Sequence, residues 1–419
     1  MNTDILILGG GSAGCVLAAR LSESPQCDVI LVEAGRNIAA GDIPDEVRSR
    51  YPGRAYLDTS NLWSGLTALM GDPAGRAGRR PRRYEQARLL GGGSAINALM
   101  ANRGAPGDYD EWEALGAQGW NWQACLPAFR AIEADRDIAG PLHGADGPLV
   151  LRRISDERIS PFVARVMETL DRRGHPIRPD QNGAWEDGTF RGVAAIDDHG
   201  ERQPTSLAYL TPEVRRRPNL KILTGHLATR LLFEGTRVVG AEVQAPGGRP
   251  LAIAARQVVV AAGAIHSPAL LLRSGIGPAE ELRALGVPIV ADRRGVGRNL
   301  MEHPSIAVAT WLPRPCANAI RASITSRRCG ATPPGWTAHR RATCTPRSCR
   351  ARAGIRSGGA PAACSSGSTN PIRVASCASP RAIRRWSRRS ISACSATRAT
   401  SSASRRRCAW VRRRCSIPA

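Results

Sequence analysis

A chain of 419 residues can bury one sizeable core or be divided among two or three domains. Its formal net charge of +24 suggests a nucleic-acid binder, but residues 1–302 carry 36 Lys and Arg against 35 Asp and Glu, whereas residues 303–419 carry 23 Arg and no Lys, Asp or Glu. A basic body is thereby excluded, and so is a helical membrane span, because no run of 18 apolar residues occurs.

The N-terminus has neither a basic n-region nor a small-residue cleavage site, and glycines interrupt its apolar stretch after Leu8. A cytoplasmic protein is the expectation, with peripheral membrane association left open. Asp4–Leu8 is a short apolar run of the kind that forms a buried parallel strand. Gly9 to Gly14 follow, then a helical pattern over Cys15–Leu21 and a second strand over Asp28–Val32, ending at Glu33. Together these predict a βαβ unit. Residues 36–84 are polar and rich in Gly, Pro and Arg, with little periodicity.

A second glycine-rich string, Arg88–Asn97 (RLLGGGSAIN), comes next. Helices are predicted over Asp108–Trp122, broken at Gly116–Gly119, over Leu126–Ile132 and over Pro161–Arg172. Strands are predicted at Leu220–Gly225, Thr229–Phe233, Val238–Val243 and Gln257–Ala262, with a helix over Pro268–Arg273. Trp120 and Trp122 read as core residues. Past Leu312 the periodicity disappears, leaving Arg, Ser, Ala, Pro, Thr and Cys.

The first chemical signal is Gly9-x-Gly11-x-x-Gly14. Gly9 permits a tight turn after the strand, Gly11 lets a pyrophosphate approach the backbone, and Gly14 lets helix and strand pack closely. Free N–H groups at the helix N-terminus then face the phosphates. Glu33, 19 residues after Gly14, is placed to accept hydrogen bonds from the adenosine ribose. This combination predicts a dinucleotide site without separating FAD from NAD.

Two further strings separate them. Arg88–Asn97 resembles the first signature of the glucose–methanol–choline (GMC) oxidoreductase family, and Gly263–Gly277 (GAIHSPALLLRSGIG) is similar to its second. Gly295–Pro304, Arg202–Thr211 and Gly119–Trp122 also resemble family strings, so that the likeness runs over about residues 3–312. What the resemblance implies is FAD, held at Gly9, Gly11, Ser12, Ala13 and Gly14, at Glu33 and Ala34, and at Leu89, Gly91, Gly92, Gly93 and Ser94. It also implies that Asn97, Ala98, Leu99 and Met100 line the flavin and that the backbone at Ala228 reads the adenine. Some members attach FAD covalently through a His in the first signature; this sequence has none there, so noncovalent FAD is expected.

The resemblance further implies oxidation of a small-molecule alcohol, with hydride passed to the flavin and an electron acceptor that the residues do not specify. The family's base is a His near the C-terminus, paired with a second His or Asn. Its strings do not appear here, and after His303 the remaining histidine is His339, in the unrelated string Thr-Ala-His-Arg-Arg. No catalytic residue is therefore assigned, and impaired turnover is expected. His266 and His303 lie in motifs used for fold and cofactor placement. His143, His175, His199 and His226 have no supporting partner in the sequence and read as structural or surface residues.

Nine of the 12 cysteines fall between Cys316 and Cys415 at irregular spacings with no C-x-x-C, so no metal site is predicted. The simultaneous loss of acidic residues and periodicity reads as out-of-frame translation of a GC-rich gene. An arginine-rich arm binding phosphates is the competing reading; dispersed arginines, sparse aromatics and the cysteines argue against it, and no nucleic-acid partner is expected. The expected fold is α/β: a Rossmann-like FAD domain from residues 1–150 and 211–312, a partial α+β substrate domain over 151–210, and a disordered tail over 313–419. The alternative function is an inactive flavin-binding remnant or an interaction protein.

Overall fold

The computed structural model describes residues 1–49, 51–70, 80–156 and 159–300. The tail expected to be disordered, with His303 and His339, lies outside the described residues.

The described chain groups into two units, one of residues 1–97 and 204–300, the other of residues 98–203. The division thus falls after Asn97 and before Pro204 rather than at 150 and 210. The physical reason is a small three-stranded sheet. In it Glu133–Asp135 pairs in parallel with Leu149–Arg153, which pairs antiparallel with Val193–Ala195. That sheet binds residues on both sides of position 150 into one unit.

The first unit is built on β1 (Asn2–Leu8), α1 (Ser12–Leu21) and β2 (Val29–Val32). Every residue of β2 is buried, as are Leu6, Ile7 and Leu8 of β1, which is what a parallel strand covered on both faces requires. On α1 the buried positions are Gly14, Cys15, Ala18 and Ala19, one helical face of small side chains that lets the helix lie close to the sheet. Six strands form the sheet, in the order Leu220–Leu223, β2, β1, Leu251–Val260, Arg237–Gln244, Leu227–Glu234. The first four run parallel, with Val29 opposite both Ile5 and Leu220 and Leu8 opposite Val260; the last two turn back antiparallel. Leu6, Leu8, Ile30, Val32, Leu231, Val243, Ile253 and Leu270 make the core.

In the first unit, two boundaries differ most from the sequence reading. The strand ending at Val260 starts at Leu251, six residues before Gln257, because Ala-rich Leu251–Arg256 carries little β signal yet pairs with both β1 and Arg237–Gln244. The helix expected from Pro268 starts at Gly263 and encloses the proline. Proline marks the first turn of many helices, but here tertiary packing of Ile265, Ala269, Leu270 and Leu272 overrides its loss of one backbone hydrogen bond.

In the second unit the helices are Pro106–Ala114, Trp122–Ile132 and Pro161–Arg172. Trp120 is 57% exposed, which corrects its assignment to the core. It stands 6.3 Å from Trp112 in an aromatic group that continues through Tyr109, Trp122 and Phe129. Indole tolerates this position because its polar N–H and flat face suit a half-wet surface. Among the described residues, no helix is long and apolar enough to cross a membrane.

Candidate functional site

The glycine cradle forms at the C-terminal ends of β1 and β2. Gly9 has φ +114°, and a Cβ there would lie 2.5 Å from the Ala261 carbonyl oxygen. At Gly14 a Cβ would lie 1.9 Å from the Gly9 carbonyl oxygen, so the helix reaches the strand only if this residue is bare. Gly11 differs. Its φ is −75°, and a Cβ would meet nothing nearer than the Gly92 Cα at 4.0 Å. Glycine at 11 is demanded by neither backbone strain nor protein packing.

Gly11 caps α1 without any side-chain hydrogen bond, the first turn contains no acidic residue, and Ser12 and Ala13 are exposed. The helix therefore presents unsatisfied N–H groups and the positive end of its dipole to an open face. A diphosphate fits that surface, and a side chain at 11 would intrude on it.

The second glycine string joins the first by backbone contacts. Gly91 N–H donates to the Gly10 carbonyl at 2.7 Å, and a Cβ at Gly92 (φ +53°) would lie 2.7 Å from the Gly11 Cα. The Ser94 hydroxyl donates to the Gly91 carbonyl at 2.6 Å and accepts from the Thr205 backbone N–H at 3.0 Å. Nothing lies within 4 Å of a Cβ placed on Gly93.

Glu33 is 8% exposed. Its Oε2 accepts the Gly10 N–H at 2.9 Å and its Oε1 the Gly35 N–H at 2.7 Å. Burial pushes its carboxyl above the usual range, opposed first by these two N–H groups and then by Arg88. A carboxylate has about four acceptor positions, so two remain for a ribose diol. The arrangement makes Glu33 a brace for the turn as well as a ligand candidate. Ala34 accepts from Arg88 Nε at 3.3 Å, and Ala228 from Arg273 Nη2 at 3.3 Å, both through their carbonyls.

The remaining predicted residues divide. Leu89 is fully buried among Ile38, Val47, Ala55, Leu62 and Ile96, so its side chain serves the core and only its backbone is available to a ligand. Asn97 is exposed in the first unit, its N–H donating to the Gly93 carbonyl at 2.8 Å. Ala98, Leu99 and Met100 belong to the second unit. Leu99 takes φ +67°, roughly 1–2 kcal/mol unfavourable for a residue with a Cβ, and its carbonyl accepts the Ala195 N–H at 2.9 Å. Met100 is 44% exposed.

Several residues here escaped the sequence reading. Gly35 is one: a Cβ would stand 2.0 Å from the Arg88 carbonyl oxygen, which makes it the point where β2's exit meets the second glycine string. Trp63 is another, stacked 4.3 Å from His266 and under the Arg88 guanidinium at 4.8 Å. His143 has partners after all. Buried against Glu133, Asp135 and Asp180, it corrects the expectation of an isolated histidine. The Glu-x-Asp spacing at 133–135 was the available signal, but nothing in the sequence placed position 143 beside it.

Burial, helped by Arg273 and Arg88, pushes the His266 imidazole down to about 4. It is neutral at pH 7. Between pH 6.5 and about 4 the unfolded chain binds a proton there that the folded chain refuses, so stability falls as pH drops through that window. The expected loss is on the order of 3 kcal/mol. His266→Phe should flatten the window in chemical denaturation at pH 7 and pH 4.5; an unchanged slope would remove the assignment.

The profile of GMC oxidoreductases matches residues 3–305. The chain belongs to that family. Of its relatives, the 5-(hydroxymethyl)furfural oxidase of Methylovorus sp. (strain MP688) is 42% identical over 332 residues, 78% of this GMC chain and 61% of the relative. Mitochondrial choline dehydrogenase of Homo sapiens is 37% identical over 314 residues, 74% of this chain and 52% of the relative. Among solved structures, pyridoxine 4-oxidase from Mesorbium loti superposes with a TM-score of 0.66 at 38% identity, covering 72% of this chain and 57% of that one. The chain thus spans less than two thirds of the length of these relatives. FAD is the cofactor that this GMC membership implies, and the cradle fits it.

Proposed function

We propose that the body of this chain holds FAD noncovalently and is the flavin-binding portion of an oxidoreductase acting on the CH–OH group of a primary alcohol. The observation that carries the reading is Gly11, a glycine that its own fold does not require, at an uncapped helix N-terminus beside Gly92 and Gly93. The N–H groups of α1's first turn would hold the diphosphate, Glu33 the ribose diol, and the backbone of Gly91–Ser94 the region between diphosphate and flavin. FAD, when bound, supplies the hydride acceptor; the protein supplies position and charge. No histidine occurs in Arg88–Asn97, which supports a noncovalent attachment.

Turnover by this chain is proposed to be severely reduced. The family's base has no recognisable counterpart in residues 303–419, whose histidines are His303 and His339. The test is to purify the full chain, denature it in acid and read the flavin released. Anaerobic bleaching by 5-(hydroxymethyl)furfural, pyridoxine and choline would then be compared with dithionite. The expected result is yellow protein, free FAD in the supernatant, and bleaching by dithionite far ahead of any alcohol. Rapid bleaching by an alcohol would overturn the reduced-turnover reading, and a colourless chain that takes up no FAD would overturn the whole. The composition of residues 303–419 favours a second reading, a flavin-binding remnant without donor-driven chemistry, for which flavin content with no alcohol-dependent bleaching at all is the signature.

A further inference from the structure

A second concentration of buried charge lies in residues 98–203. Side-chain exposure is 3% for Arg103, Glu133 and His143, 0% for Asp135, and 7% for Arg153. The His143 ring is engaged on both edges: Nε2 stands 2.8 Å from Asp180 Oδ2, and Nδ1 stands 3.2 Å from both Glu133 Oε1 and Asp135 Oδ2. An N–H on Nε2 donating to Asp180 leaves Nδ1 with a lone pair. That lone pair faces two carboxylate oxygens, and Nδ1 makes no aligned hydrogen bond although it is buried. Three carboxylates (Glu133, Asp135 and Asp180, the last 18% exposed) stand against two guanidiniums (Arg103, Arg153), which leaves one negative charge uncompensated in a largely buried cluster. A buried excess charge is costly by several kcal/mol. Positive charge therefore belongs between Nδ1 and the two oxygens.

The spacing says what kind. Nitrogen and oxygen donors about 2.0–2.2 Å from a tetrahedral zinc ion stand roughly 3.3 Å apart. Here two of the three donor separations are 3.2 Å, and all three donors lie within 4.8 Å of one another. Each donor is also braced from outside. Asp180 holds Nε2; Arg103 Nη2 at 2.6 Å and the Gly144 N–H at 3.0 Å hold Glu133 Oε1; Arg153 Nη1 lies 2.7 and 2.9 Å from the two Asp135 oxygens. The Asp137 and Ile138 N–H groups complete Asp135 Oδ1. Metal-binding imidazoles and carboxylates are oriented by outer partners of this kind.

We propose that Glu133, Asp135 and His143 form a site for a divalent transition-metal cation, zinc being the type, with Asp180 as the carboxylate that orients His143. Mixed imidazole and carboxylate donors suit zinc better than calcium or magnesium. The ion would tie the strand Glu133–Asp135 to the loop carrying His143 and stabilise the second unit.

The test uses the full chain with its accessible cysteines alkylated under native conditions, buried Cys15 being left free, because exposed thiols would bind the same metals. Titration with Co2+ should saturate at one equivalent with the visible bands of a tetrahedral nitrogen–oxygen site, and Zn2+ should displace it. His143→Gln should weaken binding at least 100-fold, and Asp180→Asn roughly 10–100-fold. Zn2+ should also raise the melting temperature of the parent chain, a linkage effect that His143→Gln removes. If His143→Gln does not fold, Asp180→Asn with the parent melts decides. The proposal fails if alkylated, folded parent binds neither ion at millimolar concentration, with both His143 nitrogens protonated in a 15N spectrum, a proton then being the occupant. It fails equally if both variants bind as the parent does. Flavin content is read separately, so either failure leaves the FAD reading standing.

Discussion

Gly11→Ala folds as the parent does and fails to hold FAD. The substitution needs no positive φ, and its methyl meets only the Gly92 Cα at 4.0 Å. An Ala at a helix N-cap is about 1 kcal/mol worse than the usual capping residues and only modestly worse than Gly, so apo stability should drop by less than about 1 kcal/mol. The methyl occupies the face on which the diphosphate meets the first-turn N–H groups, and affinity should fall by at least 100-fold. Gly14→Ala separates the two causes. Its methyl would lie 1.9 Å from the Gly9 carbonyl oxygen, so α1 must move off β1 and apo stability itself should fall by several kcal/mol. Denaturant unfolding of both apo variants beside flavin titration measures the pair. Equal stability losses in the two, or retained FAD affinity in Gly11→Ala, would show that Gly11 is not a ligand-facing position.

Glu33→Ala should remove about 2–4 kcal/mol of apo stability. Two buried N–H groups, of Gly10 and Gly35, lose their acceptor, and each orphaned donor costs about 1–3 kcal/mol. Relief of carboxylate desolvation offsets part of this, and the raised Glu33 carboxyl says so directly. The sign of its pH effect opposes that of His266. A carboxyl raised by burial is held in its ionised form at a cost above its folded pKa; the cost fades as pH falls through that folded pKa and is gone below 4.5. Acid loss of stability between pH 6.5 and about 4 therefore belongs to His266 and not to Glu33. Urea unfolding of Glu33→Ala at pH 7 checks the magnitude. A loss below about 0.5 kcal/mol would mean that the residue serves the ribose alone.

The nucleotide half of the site was legible because its signals are local. A strand, a turn that only glycine permits and a helix follow one another within 21 residues, and the chemistry of each position follows from the backbone around it. Leu89 shows where local reading stops. It sits in the right string, yet its side chain fills a core assembled from Ile38, Val47, Ala55 and Leu62, residues in a stretch with no usable periodicity. Trp120 shows the converse, an aromatic residue whose type suggests burial and whose place in the turn between the helices Pro106–Ala114 and Trp122–Ile132 leaves it at the surface.

By itself the sequence determined the βαβ nucleotide unit, the family and the confinement of excess charge to residues 303–419, all properties of consecutive residues. Tertiary structure alone decided that Gly35 must admit the Arg88 carbonyl, that Trp63 stacks on His266, and that His143 meets Glu133, Asp135 and Asp180. Each of these joins positions 8 to 203 residues apart in the chain. Their energies come from close packing and desolvation, which exist only once the strands have paired and which no local pattern of residue types encodes.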